Sequence, residues 1–201
     1  MKKLSTYLFL ILFSFQTSSW ADDIRDFQIE GMSVGDSLLE YFSEEKIRKQ
    51  ISPTLFTSKK YIKILFDVRY DDVDFLKIYQ VIGFYVKAND KKYTIASINA
   101  MNSYRKKIEA CLKDKDKIFE EISGLFENAE IFKNVKRDHP SDPTGESKIY
   151  GHYFEFKSGA AGKVTCVDFS KKFEEKKYED HLRVTIGQND YTDWLMNEAY
   201  K

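Results

Sequence analysis

The sequence predicts an α+β fold: antiparallel sheet of about six to seven strands packed on one long helix, with short N-terminal helices and a C-terminal helix. Three observations carry this. Apolar and polar residues alternate with period two through residues 61–99 and again through 147–186. One long stretch between them, 103–127, repeats its apolar residues at three and four instead. With 42% hydrophobic residues and 3 prolines in 201, the chain has material for a core and few breaks to interrupt it.

The first 21 residues stand apart. Lys2 and Lys3 make a short positive region, residues 4–15 are mostly apolar, and Ser19 and Ala21 are small residues spaced for a cut after Ala21. That is the pattern of a secretory signal peptide. The apolar run is about a dozen residues, short of the roughly 20 that span a bilayer, so the cleaved chain is not expected to cross a membrane. Residues 22–201 are then one α+β domain, exported to a bacterial periplasm or beyond the cell. Its two lysines leave with the peptide and turn a formally neutral chain mildly acidic. That balance exerts no general pull on nucleic acid.

Along the domain, residues 26–30 alternate, with Phe27 and Ile29 on one face, and read as a short strand broken by Gly31. Ser33 and Asp36 form a capping-box pattern ahead of Leu38, Leu39 and Phe42, and Ser43 opens a second short helix to about Ile51. Residues 61–68, 75–87 and 92–99 read as a three-stranded meander with turns at Asp71-Asp72 and Asn89-Asp90-Lys91. The long helix carries Ile108, Cys111, Leu112, Ile118, Phe119, Ile122, Leu125 and Phe126 on one stripe, with a gap at Lys115. Residues 133–146 hold two of the three prolines, with Asp138, Asp142 and Gly145, and read as a loop. Residues 147–156, 162–169 and 182–186 are the remaining strands, and 171–177 is a charge-rich link. A terminal helix capped by Asn189 or Asp190 presents Tyr191, Trp194, Leu195 and Ala199 along one face, which docks it on the core.

Export decides the reading of the two cysteines. In an oxidising compartment Cys111 and Cys166 are expected as one disulfide, two separate buried thiols being the alternative. The bridge closes a loop of about 55 residues, worth roughly 4 kcal/mol by chain entropy.

No residue stands out as catalytic. The histidines, His139, His152 and His181, lie far apart, and no metal-ligand spacing occurs, so no metal or cofactor is expected. His152 alternates with Tyr150, Phe154 and Phe156 and reads as a hydrogen-bonded residue at the core edge. His139, beside Asp138 and Asp142, is a possible ligand contact. Ser43-x-x-Lys46 is explained by helix capping, and residues 142–147 by a turn. The exposed aromatics carry the strongest binding signal. Tyr79 and Tyr85 share a strand face with Lys77 and Lys87, and Tyr93 opens the next strand. A sheet face of Tyr and Lys is suited to sugars, peptides or single-stranded nucleic acid, and export argues against the last.

The run Phe27-x-Ile29-Glu30-Gly31-Met32-Ser33-x-Gly35-Asp36-Ser37-Leu38-Leu39, with Cys111, Cys166 and Tyr191-x-x-Trp194-Leu195 further on, resembles a group of uncharacterised exported proteins of small-genome marine bacteria. The resemblance implies export and assigns no residue a role. The expected function is a non-catalytic binding or interaction module for an envelope protein or a small ligand. An exported hydrolase and a structural envelope protein are the alternatives.

Overall fold

A computed structural model describes residues 24–71, 73–124, 126 and 128–201; the expected signal peptide lies outside them. After a 3-10 turn at Ile24–Asp26, the expected strand at 26–30 is replaced by a reversal. Glu30 and Gly31 both take left-handed backbone (φ 54° and 77°), so Ile29 and Met32 exchange backbone hydrogen bonds across a two-residue turn. Folding back buries Phe27, Ile29, Met32 and Val34 together, which an extended strand would not do. The capping box forms four residues later than the sequence suggests, between Ser37 and Glu40 around a 3-10 turn at Leu38–Glu40. Helix α1 (Glu44–Lys49) starts where expected, with the Ser43 hydroxyl accepting from Lys46 N–H.

A two-residue strand β1 (Ile51–Ser52) precedes the meander β2 (Tyr61–Asp67), β3 (Val81–Lys87) and β4 (Ile95–Ser103). β3 is shorter than expected because the Glu30 carboxylate accepts from the backbone N–H groups of Lys77, Ile78 and Tyr79. Those donors are therefore held by the N-terminal hairpin and make no strand ladder. Tyr79 consequently does not share a strand face with Tyr85, and Tyr93 sits in a turn with φ 50° ahead of β4. Helix α2 (Ile108–Ser123) is shorter than the sequence suggests; Arg105 and Lys106 ahead of it are left-handed.

β5 (Ala129–Asp138) takes up half of the predicted loop, leaving residues 139–147 as the real connection to β6 (Lys148–Phe156). Its alternation is broken by a bulge between Phe132 and Val135, with Asn134 at φ 54°, which hides the strand from a period-two reading. β7 (Ala161–Asp168), helix α3 (Lys171–Glu175), β8 (His181–Gly187) and helix α4 (Asn189–Asn197) follow. The result is α+β, but with eight strands and four α-helices among the described residues, where six to seven strands and one long helix with short N-terminal helices and a C-terminal helix were predicted.

All eight strands form one antiparallel sheet in the order β1-β2-β3-β4-β8-β7-β6-β5. One face carries Ile64, Phe66, Ile82, Phe84, Ile98, Val184, Val164 and Phe154, and is covered by α2 and the N-terminal segment. The disulfide Cys111–Cys166 (Cα–Cα 6.0 Å) fastens α2 to β7 there, as the sequence predicts. No helix among the described residues is long and apolar enough to cross a membrane.

The opposite face is covered only in parts. At one end α4 packs Tyr191 and Trp194 on Tyr61 and Ala96, with Phe56 and Tyr85 alongside. Trp194 is 0% exposed and its indole N–H donates to Ser58 Oγ at 2.9 Å. At the other end Ile149, Val167, Phe169 and Phe173 form a small satellite cluster. A helix of nine residues is marginal in water by itself, so its existence depends on this docking. Trp194→Ala is therefore expected to lower stability by about 3–5 kcal/mol in urea or thermal denaturation, and an unchanged melting temperature would refute the docking.

Candidate functional site

Between those two covers the second sheet face stays open, and strand register dictates what stands on it. Tyr153 of β6 pairs with Lys163 of β7, and Lys163 with Thr185 of β8, so the three side chains form one row across the sheet. The adjacent rows bring Ser97, Gly187 and Ala161 on one side and Arg183, Thr165 and Gly151 on the other. Gly151 is needed here. A Cβ at that position would stand 2.7 Å from Thr165 Cγ2 and 3.0 Å from the Tyr153 ring, which lies over the bare backbone.

This row floors a cleft of about 440 Å³ between the β6–β7 hairpin and α4. Its polar end is Arg137, Tyr153, Lys163 and Thr185. Its apolar end is Tyr191, Leu195 and Met196 on α4, with Phe156 and Ala160 on the hairpin. Gly159 at the hairpin tip has φ 86°, a left-handed backbone that favours glycine, and it packs on the Asn189 side chain at the start of α4. The dimensions match small-ligand sites.

The electrostatics of this face are one-sided. Burial pulls Lys163 down to about 8, and the positive charges of Arg183 and Arg137 push the same way. Burial lowers Lys63 as well, again with Arg183 adding to the effect. Arg183 itself is pulled down by burial. None of these three cations forms an ion pair within 4.0 Å among the described residues. Arg183 Nη2 donates to His181 Nε2 at 3.1 Å, and its buried Nε has no partner. The Tyr153 hydroxyl is likewise buried without a partner, and the Arg137 guanidinium lies 5.2 Å over its ring. Thr185 donates to Asn99 Oδ1 at 2.8 Å and Ser97 to the Ile186 carbonyl at 2.6 Å, so both hydroxyl protons are committed to the sheet.

A second polar cluster lies on the covered face. Lys115, the gap in the helical stripe, is 3% exposed and sits 2.6 Å from Asp116 Oδ1. His152 Nδ1 accepts from Asn134 N–H at 3.2 Å, which assigns the ring proton to Nε2, the donor to Asp116 Oδ1 at 2.8 Å. The ring stacks on Phe119 at 4.1 Å. Lys115 and His152 hold Asp116 below the ordinary carboxylate range. The cluster therefore anchors the β5 bulge to α2, with His152 hydrogen-bonded at the core edge as the alternation predicts.

The sequence candidates are scattered. Tyr79 packs against the main core, where burial raises its hydroxyl to about 12. Tyr93 is buried, with its hydroxyl on Glu44 at 3.3 Å. His139 lies against Phe169 of the satellite cluster, the rings tilted at 5.1 Å between centroids. Tyr85 alone lies on the open face, beside Tyr191. The cleft residues Arg137, Tyr153 and Lys163 were missed. The signal available was that the outward positions of four separate strands are basic: Lys63, Arg137, Lys163 and Arg183.

Two outcomes follow. All three histidines are held neutral, His139 and His152 by burial first and His181 by burial and Arg183, which bring it to about 4. The unfolded chain binds these protons below about 6.5, so stability is full above that pH and falls as pH drops toward 4. His181 accounts for about 2 kcal/mol between pH 7 and 5, to be read from urea denaturation and reduced in His181→Gln. Lys163→Met removes a charge that the fold desolvates without a partner, and is expected to raise stability by about 1–2 kcal/mol. No known protein family, curated protein or solved structure matches the chain, so the chemistry of the cleft carries the functional argument.

Proposed function

We propose that the chain is an exported, non-catalytic binding module that takes a small ligand into the cleft between the β6–β7 hairpin and α4. The observation that carries this is the pairing of an apolar wall with polar groups that have no partner in the fold, the Tyr153 hydroxyl beside Lys163 and, behind them, the Arg183 Nε. Such groups lose water on folding and recover a partner only from a bound molecule. Binding is favoured over turnover because the cleft hydroxyls of Thr185 and Ser97 already donate to an amide oxygen and a backbone carbonyl, not to a base. Export is supported by the amino-terminal sequence and by the Cys111–Cys166 disulfide, a bond that persists in oxidising compartments.

Trp194 supplies the readout. It is the sole tryptophan after residue 21, and its neighbours in α4, Tyr191 and Leu195, line the cleft. The fluorophore 8-anilinonaphthalene-1-sulfonate is expected to bind the folded protein saturably, near one equivalent, with energy transfer from Trp194. Ala161→Trp, which fills the cleft floor, is expected to abolish that binding with the fold intact by circular dichroism. Absent binding in the wild type, or binding indifferent to Ala161→Trp, would sink the cleft as the ligand site.

A further inference from the structure

The cleft reading leaves open what kind of molecule fits, and the charge arrangement answers that. The chain has 32 acidic residues, and its surface cations find them readily. Lys60 meets Glu198, Lys87 meets Asp190, Arg105 meets Glu179 and Lys148 meets Asp138. Two cations that the open face withdraws from water, Lys163 and Arg183, meet none. Glu155, the one carboxylate lining the cleft, is exposed at its rim and lies beyond ion-pair distance of both Lys163 and Arg137. A buried charge without a counter-charge is destabilising, and folds normally supply one or replace the residue.

Resting on the reading of the cleft as a ligand site, we propose that its ligand is an amphiphilic oxyanion. The charged oxygens sit on Lys163 between Arg137 and the Tyr153 hydroxyl, backed by Arg183, and the apolar body lies along Tyr191, Leu195 and Met196. The geometry fits this division of labour. Lys163 and Tyr153 are cross-strand neighbours on the same face, and the Arg137 guanidinium lies over the Tyr153 ring. The unpartnered Tyr153 hydroxyl gains an acceptor from the anion. The opposite wall offers no charge: a tyrosine ring, the Thr192 side chain, a leucine and a methionine that is 78% exposed until something covers it. The lysine charge survives near neutral pH, since its lowered value of about 8 still leaves it mostly protonated.

The test compares 8-anilinonaphthalene-1-sulfonate with N-phenyl-1-naphthylamine, the same aromatic body without the sulfonate. In wild-type protein the sulfonate is expected to bind at least about tenfold tighter. Lys163→Met is expected to weaken the sulfonate about tenfold or more while leaving the neutral probe unchanged, and exposed Arg137→Leu to weaken it by a smaller factor. Equal affinity for the two probes, or sulfonate binding that ignores both substitutions while still blocked by Ala161→Trp, would overturn the oxyanion and leave the cleft standing. Failure of the Ala161→Trp block falls on the cleft itself. Parallel loss of both probes in Lys163→Met would also overturn the inference, by making Lys163 a shape element and not a charge.

Discussion

The pairing of β4 with β8 is the joint on which the rest of the molecule depends. The chain builds one meander, β2 to β4, and then leaves the sheet through α2 to start again at the far edge with β5. Strands β5, β6 and β7 step back inward until β8 meets β4 over seven residue pairs, from Ser97–Gly187 to Ser103–His181. Nothing local enforces this contact; the loop it closes spans some 80 residues, and its entropy is recovered only once the ladder and the core beneath it form together. Side chains reinforce the joint along its length. Ser97 and Thr185 bridge the two strands on the open face, and Ser103 with Arg105 holds Glu179 at one end. At the other end Gln188 N–H bonds the Ala96 carbonyl, which fixes where α4 begins.

That joint explains why the cleft lies where it does. A sheet of eight strands has two faces of equal width, but the chain spends its long helix and its N-terminal segment on one of them. The other face receives only α4, which starts directly after β8 and turns toward β2 and β3, and the small aromatic cluster at the opposite end. The strip between the two is reached by β6, β7 and β8, whose outward residues therefore face a partly closed space. Burial there comes from walls and not from a packed layer, so polar residues are tolerated and lose water without gaining partners.

How much of this was legible follows from the same geometry. Cys111, Trp194 and the alternation of β2, β6, β7 and β8 could be read because each is a local signal tied to a single outcome: a buried stripe, a docked face or a half-covered strand. β5 could not, because the bulge at Asn134 shifts its alternation by one phase, and β1 is too short to alternate at all. The contacts of Glu30 with residues 77–79 join segments nearly fifty apart, and no local pattern announces that those residues leave the ladder. The cleft failed for a different reason. Lys163 and Arg183 occupy outward positions, which in an ordinary half-solvated strand are simply polar. Whether an outward position meets water or a wall is decided by where α4 and the β6–β7 hairpin end up, a tertiary fact that alternation does not encode.

Buried Lys115 and half-buried Lys163 make the contrast that matters most. Lys115 interrupts an apolar helix stripe and is the more deeply enclosed of the pair, yet its ammonium meets Asp116 at 2.6 Å, on a carboxylate that also receives the His152 ring N–H. The fold thus contains everything Lys115 needs, and its charge serves to lock α2 to the bulged strand. Lys163 stands on the other face with Arg137 and Arg183 for neighbours and no carboxylate within reach. Both residues are lysines desolvated by the same sheet, so the difference is one of partners. A chain as rich in acids as in bases, which places Asp116 against one lysine, leaves the other in a cleft surrounded by like charge. Arg183 and Arg137 both repel Lys163, a repulsion that an anion seated as proposed would relieve, so on that proposal stability and ligand affinity are linked through the same side chains.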